Sequence, residues 1–437
     1  MVPRLFQALT LLLLAGPLFI APGQQGVSSM DRDRGRIMLK TIKENLKSNY
    51  YDPAYHGMDL EARFKISDDK IKEATSLGQI FGIIAQTLVD LDDSHTFFLP
   101  PGRTSKTEYG WQMQMIGDKC YVVAVKPGSD AEAKGLRAGD EIYTMDGYGP
   151  TRANFWKLQY TYRALRPKPG VRLVVINPDG KSYQLDVLAR VQQGKRVVDL
   201  TEGSDIWSLI RESENEDRLH RHRYMDMGED LFIWKMPQFD MSKEKVDDFV
   251  DKFRKRKGLV MDLRGNHGGY EDTLLRLLGN FFDHDLKVGD LKRRKEEKLL
   301  TAKTRGKDIF TGNLVVLIDS ESGSAAEVFA RVVQLEKRGT IIGDRSAGAV
   351  MRAKEYSHQL GVDIVVPYGV SVTDADIIMT DGESLEHTGV TPDEAKLPTA
   401  ADLAAKRDPA LAYALSLLGA KMTPEEAGGI FPLEWKK

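Results

Sequence analysis

Two stretches of this chain carry residues that could make and break an acyl bond. In Leu314-Val315-Val316-Leu317-Ile318-Asp319-Ser320-Glu321-Ser322-Gly323-Ser324-Ala325-Ala326-Glu327 an apolar run ends, small residues follow, and a helical pattern begins. A serine at such a strand-to-helix turn can serve as a nucleophile, because the free N–H groups of the helix start can stabilise an oxyanion. Ser324 is the serine placed at the turn, and Gly323, Ala325 and Ala326 leave room for a substrate backbone. A plain helix cap reads the same way, since serine is a common N-cap. The second stretch, Leu259-Val260-Met261-Asp262-Leu263-Arg264-Gly265-Asn266-His267-Gly268-Gly269, runs an apolar strand into a glycine-rich turn. Glycines let backbone amides converge on one point, as an oxyanion hole requires, although an ordinary turn has the same composition.

Metal chemistry finds no such support. Zinc signatures of the H-E-x-x-H type are absent from the sequence, and His220 and His222 sit in a charged stretch that reads as solvated surface. Cys120 is the only cysteine, so no intrachain disulfide can form. It lies in the apolar run Cys120-Tyr121-Val122-Val123-Ala124-Val125, where a buried structural thiol is expected rather than a nucleophile. Neither a metal nor another cofactor is expected.

The elements that must position these residues can be read coarsely. The 437 residues exceed what one hydrophobic core holds and suggest two or three domains. A formal net charge of −2 argues against nucleic acid or an anionic membrane as a bulk partner. Arg4 and the leucine-rich run at 5–21, followed by Ala21-Pro22-Gly23, read as a cleavable export signal cut after Gly23. With the signal removed, no stable membrane insertion is expected. Residues 27–105 read as a helical segment, with Ile37, Leu39, Ile42 and Leu46 at near-helical spacing and Ile80, Phe81, Ile83, Ile84, Leu88 and Leu91 marking a more apolar helix. Residues 106–192 alternate short β-rich runs with glycine and proline turns, with strands expected at 120–125, 141–145, 171–176 and around 183–187. Residues 193–228 are charged and weakly patterned and read as a linker. From 229 to 437 strands and helices alternate, the pattern of a largely parallel sheet covered by helices.

At this point several motifs together resemble a known family. Asp262-Leu263-Arg264-Gly265-Asn266-x-Gly268-Gly269 resembles the D-L-R-x-N-x-G-G signature of the C-terminal processing peptidases, and Ser322-Gly323-Ser324-Ala325-Ala326-Glu327 their S-A-S-A-S-E nucleophile segment. Glu386-His387-Thr388-Gly389-Val390-Thr391-Pro392-Asp393 is similar to their closing G-V-x-P-D run. Gly128-Ser129-x-Ala131-x-x-x-Gly135-Leu136-x-x-Gly139-Asp140-x-Ile142 resembles a PDZ core of the bacterial protease type. The resemblance implies a multidomain α/β protein: an N-terminal helical segment, a PDZ β-domain and a crotonase-like α/β protease core. It also implies a serine endopeptidase, periplasmic or secreted, that takes polypeptide substrates through their C-termini. A homo-oligomer is left open.

One departure bears on mechanism. The usual family members activate the serine with a lysine in a following F-G-K-G segment, and here Gly343-Asp344-Arg345-Ser346-Ala347-Gly348-Ala349-Val350 places Ala349 at that position. A methyl group cannot be a general base. The tricorn-core branch of the same superfamily uses instead a histidine in a T-S-H segment and a glutamate in the closing segment; Asp93-Ser94-His95-Thr96 and Glu386 resemble that arrangement. The resemblance therefore implies Ser324 as nucleophile, His95 as base, Ser94 and Glu386 as polar partners, and the amides of Gly268 and Ala325 as the oxyanion hole. His267, His387 and Lys354 are the competing bases. The PDZ likeness implies a substrate-binding loop at Tyr109-Gly110-Trp111-Gln112, with the following strand as the docking edge. Ala349 also keeps alive a catalytically inactive peptide-binding protein on the same fold; a small-molecule esterase fits the PDZ pattern less well.

Overall fold

The computed structural model describes residues 27–102, 105–193, 221–361 and 365–435. The expected export signal lies outside these residues, as do 194–220 of the expected linker.

The sheet that carries both glycine- and serine-bearing turns has six strands, in the spatial order Glu394–Ala395, Thr340–Gly343, Asn313–Ile318, Gly258–Asp262, Leu231–Lys235 and Arg223–Met227. The first five run parallel and the last is antiparallel. Parallel strands covered on both faces need continuous apolar runs, and that is why Leu314 to Ile318 has no polar residue. The side chains alternate. Leu259, Met261, Leu314, Val316 and Ile318 point into a core with the helices Lys243–Val250, Glu271–Leu278 and Ala325–Leu335. Val260, Val315 and Leu317 pack on the opposite face against Ala410, Leu411 and Leu415 of the helix Pro409–Leu417.

A second, antiparallel sheet joins Phe97–Leu99, Val366–Met379, Leu286–Arg293 and Glu297–Ala302, with Met351–Leu360 also paired to Val366–Met379. The helices Ser29–Asn49 and Leu77–Val89 pack on it through Leu39, Ile42, Leu46, Ile80, Ile84 and Leu88, which share a core with Phe97, Phe98, Val370 and Val372, and Leu60–Lys72 packs against these two helices. Ile37, read with the apolar face, is 49% exposed, and Met38 is buried in its stead.

The third sheet is a meander of five antiparallel strands: Trp111–Ile116, Lys119–Val125, Glu141–Met145, Gly170–Ile176 and Ser182–Leu188. Its core holds Cys120, which is buried, with Val122, Ile142, Leu173 and Val175. Trp111–Ile116 is an edge strand, and the ribbon Ser105–Glu108 with Arg190–Gln193 pairs the two chain segments that lead into and out of this sheet.

Two sequence expectations change. Residues 223–227, read as linker, form the antiparallel edge strand on Leu231–Lys235, joined by a turn in which Gly228 has φ 64°. His222, read as exposed, is only partly so: its Nε2 meets Asp240 Oδ1 at 3.0 Å and its Nδ1 accepts from Trp234 Nε1 at 3.3 Å. Charged neighbours hid both features, which depend on pairing across the turn.

Candidate active site

The turn that carries Ser324 is stapled to the glycine turn beside it. Ser322, fully buried, donates to Leu263 O at 2.8 Å and accepts from Asp319 N–H at 3.0 Å. Gly323 N–H donates to Asn266 O at 2.9 Å. Ser324 itself has φ 53° and ψ −119°, a conformation in which a residue with a Cβ is strained. Such strain persists only where the surroundings impose it, and sharp strand-to-helix turns of this kind expose the nucleophile of α/β-hydrolases. Here the Ser324 N–H is held by Ala349 O at 2.9 Å and by Glu327 Oε2 at 3.0 Å. The helix Ala325–Leu335 starts at the next residue.

Gly268 has to be glycine. Its φ is +97°, and a Cβ there would lie 2.6 Å from Ser324 Cβ and 2.9 Å from Ala325 N. The expected oxyanion pair, Gly268 and Ala325, is thus brought together at Ser324. The Gly268 amide, however, donates to Asn266 Oδ1 at 2.8 Å. Asn266, fully buried, builds the turn and anchors it through Nδ2 to Met236 O at 2.8 Å. Arg264 fixes the base of the same turn: its guanidinium bridges Asp262 and Asp408, the latter the N-cap of the helix Pro409–Leu417.

His95 stands on a different foundation. The turn after the helix Leu77–Val89 is organised by Asp93, whose Oδ1 accepts from His95 N–H at 2.8 Å, Thr96 N–H at 3.1 Å and Thr373 Oγ1 at 2.7 Å. His95 is 5% exposed. Ser94 Oγ lies 2.8 Å from His95 Nδ1 and donates to Glu386 Oε2 at 2.8 Å, while the Ser94 N–H donates to Glu386 Oε1 at 2.8 Å. A hydroxyl has one proton. With that proton given to Glu386, the Ser94 oxygen accepts from Nδ1–H, and Nε2 of the neutral imidazole is the unprotonated nitrogen. Burial, and then the charge of Asp93, push the Glu386 carboxyl up to about 8.

Both foundations grip one loop. Glu327 accepts from Ser346 Oγ at 2.5 Å, Gly348 N–H at 2.7 Å and Ala349 N–H at 3.0 Å, and the next amide, Val350 N–H, donates to Glu386 Oε2 at 2.8 Å. Burial pushes the Glu327 carboxyl up to about 7. Ala349, 4% exposed, packs its methyl into the core beneath the N-terminal helices. Of the competing bases, Lys354 lies on a strand, His387 borders the Glu386 carboxylate with Nε2 4.0 Å from Oε1, and His267 lies within the glycine turn. Lys354 sits in the strand Met351–Leu360 with its side chain 56% exposed, 3.8 Å from Asp374. His387 is largely exposed and its Nε2 meets Asp92 O at 3.0 Å. His267 is buried in the glycine turn, with its backbone under Gly323.

The 109–112 loop leads into the edge strand Trp111–Ile116. Gly110 has φ 73°, and a Cβ there would meet Ser129 Cβ at 2.6 Å. The side chains of Tyr109, Trp111 and Gln112 are buried, and the Tyr109 hydroxyl donates to Tyr162 O and accepts from Lys168 N–H.

Sequence reasoning passed over Asp93 and Glu327. The signals were present: an Asp followed by donors at two and three residues is an Asx-type turn, and Ser-x-x-Glu at a helix start is a capping box. Asn266 carried no signal beyond its motif.

Comparison with known proteins places this geometry. Residues 232–395 match the profile of Peptidase family S41. The chain is 26% identical over 373 residues to the chloroplastic C-terminal processing peptidase of Tetradesmus obliquus, covering 79% of this chain and 73% of that protein. It is 24% identical over 410 residues to the carboxy-terminal processing protease CtpA of Bacillus subtilis strain 168, covering 91% and 76%. Mature CPAF shares the fold, with a TM-score of 0.63 at 15% identity over 86% of this chain and 94% of that one. No helix among the described residues is long and apolar enough to cross a membrane. The matched segment contains both the glycine turn and the Ser324 turn, the relatives run alongside most of the chain, and on that footing this protein is a serine peptidase whose residues 232–395 carry the profile of peptidase family S41.

Proposed function

We propose that the chain is an exported endopeptidase of the C-terminal processing type, with Ser324 as nucleophile and His95 as general base. The observation that carries the reading is the hydrogen-bonded chain from Glu386 through Ser94 to His95 Nδ1; with Glu386 ionised, this chain sets the imidazole proton on Nδ1 and leaves Nε2 to accept. In the first step Ser324 Oγ attacks the scissile carbonyl while its proton passes to His95 Nε2. A correctly placed base is worth about 10²–10⁴ in rate. The oxyanion forms at the start of the helix Ala325–Leu335, facing the Ala325 amide and an amide of the 265–269 glycine turn, where the Gly268 N–H must be shared with Asn266 Oδ1 to serve as second donor. One such donor is worth about 10²–10³. The imidazolium then protonates the leaving amine, and water, deprotonated by His95, releases the acyl group. Ala349 is not an obstacle, because the base comes from the 93–96 turn.

The third sheet is the PDZ domain of this reading, and 229–437 the peptidase core. A substrate C-terminus would add to the edge strand Trp111–Ile116 beside Gly110. Trp111 Nε1 and Gln112 Oε1 are buried without a hydrogen-bond partner among the described residues, which suits a site completed by a ligand. Export rests on the leader at 1–23.

The test is cleavage of an unfolded protein such as casein, together with labelling by a fluorophosphonate, in wild type, Ser324→Ala and His95→Ala. Both variants are expected to lose cleavage, and Ser324→Ala to lose labelling as well. Cleavage surviving in His95→Ala would remove the histidine mechanism.

A further inference from the structure

Asp319 is the first residue after the strand Asn313–Ile318 and touches no reacting atom of the proposed site. Its carboxylate nevertheless binds three parts of the molecule at once. Oδ1 accepts from Gly265 N–H at 2.9 Å in the glycine turn. The same oxygen accepts from Glu321 N–H at 3.0 Å in the turn that carries Ser324, and the Asp319 N–H donates to Ser322 Oγ at 3.0 Å in that turn. Oδ2 accepts from Gln114 Nε2 at 2.6 Å, on the edge strand Trp111–Ile116 of the third sheet.

Around this bond the third sheet is seated on the same turn by further contacts. Ser320 Oγ donates to Met115 O at 2.5 Å. Gly117 N–H donates to Asp344 Oδ2 at 2.8 Å, and Arg152 binds Asp344, Gly117 O and Arg345 O at 2.6, 2.7 and 2.9 Å. Asp344 N–H in turn donates to Ile318 O at 3.1 Å, one residue before Asp319. The edge strand is therefore fastened on both sides of the strand end that leads to Ser324. A carboxylate sharing donors from three segments fixes their mutual position, and a bond to a charged acceptor is about twice as strong as a neutral one.

We propose that Asp319 is a positioning residue, through which the seating of the edge strand sets the geometry of the Ser324 turn and the glycine turn together. The inference rests on the reading of Ser324 as nucleophile. It assigns the third sheet a part in forming the reactive serine that is separate from holding substrate. Since Asp319 acts on the reactive geometry, its loss lowers kcat and the rate of serine labelling and leaves KM nearly unchanged.

The experiment exchanges the partners. In Asp319→Asn the amide oxygen can still accept from Gly265 and Glu321, but the amide nitrogen can meet Gln114 only by taking its Oε1 as acceptor, so the charge-assisted bond becomes a neutral one in a flipped orientation. Gln114→Glu alone sets two carboxylates together. In the double variant the amide nitrogen faces a carboxylate again. Fluorophosphonate labelling, with kcat and KM on casein, is measured in the full chain for wild type, both single variants and the double. Each single variant is expected to label roughly tenfold more slowly or worse, and the double to recover to within about threefold of wild type. A double variant no faster than the product of its singles overturns the inference, as does Asp319→Asn at the wild-type rate, or a change confined to KM. Should Asp319→Asn fail to fold, Gln114→Leu and Ser320→Ala carry the test, because they leave the bonds of Asp319 to both turns in place; wild-type labelling in both overturns it. Ser324→Ala is run alongside. Labelling that persists there defeats the reading of the nucleophile, and that outcome is distinct from an unchanged Asp319→Asn.

Discussion

Ser324 is held mainly by groups near it in sequence or on the adjacent parallel strand, whereas His95 is held by groups brought from the far end of the chain. The bond from Ser324 N–H to Glu327 spans three residues, and those from Ser94 to Glu386 span 292. Each side nevertheless uses the same device, a buried carboxylate that accepts backbone amides of the 346–350 loop. The difference lies in what the second oxygen does. In Glu327 all partners are donors that set backbone shape, while Glu386 also receives the one hydroxyl that orients an imidazole. One carboxylate builds the turn; the other sets the proton of the base proposed above.

The largest effect is therefore expected at Glu386. In Glu386→Gln one end of the side chain becomes a donor, and it must face Ser94 N–H, or Ser94 Oγ with Val350 N–H, all of which donate to the carboxylate now. A buried donor left facing a donor costs about 1–3 kcal/mol, and the charge that steadies the imidazolium is gone, so kcat should fall roughly 10²–10³-fold with little change in KM. The pH dependence carries a sign. Glu386 ionises only near pH 8, because burial raises its pKa. The relay needs the ionised form, so wild-type activity should rise with pH toward about 8. Stability should run the other way. A carboxyl raised in the folded state contributes fully below its unfolded pKa, and that contribution is lost as pH rises through the folded value. A Tm that declines from about pH 5 to pH 8, less steeply in Glu386→Gln, checks this. Identical Tm curves in the two proteins would show that Glu386 is not held protonated by the fold.

Glu327→Gln tests the other half of the comparison and should be milder in rate. Its carboxylate meets Ser324 N–H, Ser346 Oγ, Gly348 N–H and Ala349 N–H, so a carboxamide again turns a donor toward donors. We expect a loss of about 1–3 kcal/mol in stability and roughly tenfold in kcat, with the pH profile of the rate unmoved. A displaced pH profile would mean that Glu327 shares the proton chemistry assigned to Glu386, and the contrast between the two sides would fail.

The same contrast explains what was legible in the sequence. The Ser324 side could be read directly, since a continuous apolar strand, a small-residue turn and a glycine-rich turn are local patterns. His95 was found only through resemblance, because nothing near it says that Glu386 will arrive. The second sheet was largely unread: Val366–Met379 pairs with three other strands over its length, and two of them, Leu286–Arg293 and Met351–Leu360, carry mixed polar sequences whose order appears only in the pairing. The commitment of the Gly268 amide to Asn266 was equally out of reach, since it depends on a side-chain rotamer rather than on residue type.

The smallest expected effect is at Lys354, and it closes the question raised by Ala349. Lys354 stands five residues beyond the position where relatives of the usual type place their lysine, paired with Val372 across the hairpin. Its side chain is mostly in solvent, with Asp374 3.8 Å away. An exposed ion pair of this kind is worth about 0–1 kcal/mol, so Lys354→Ala should leave kcat within about twofold of wild type and Tm nearly constant. The result matters more than its size, because a lysine base and a histidine base make opposite predictions for the pair of variants. With a histidine base, His95→Ala is inactive and Lys354→Ala is not. A large loss in Lys354→Ala with unchanged Tm would transfer the proton from the 93–96 turn to the long hairpin, and the relay through Ser94 and Glu386 would then be scaffolding alone.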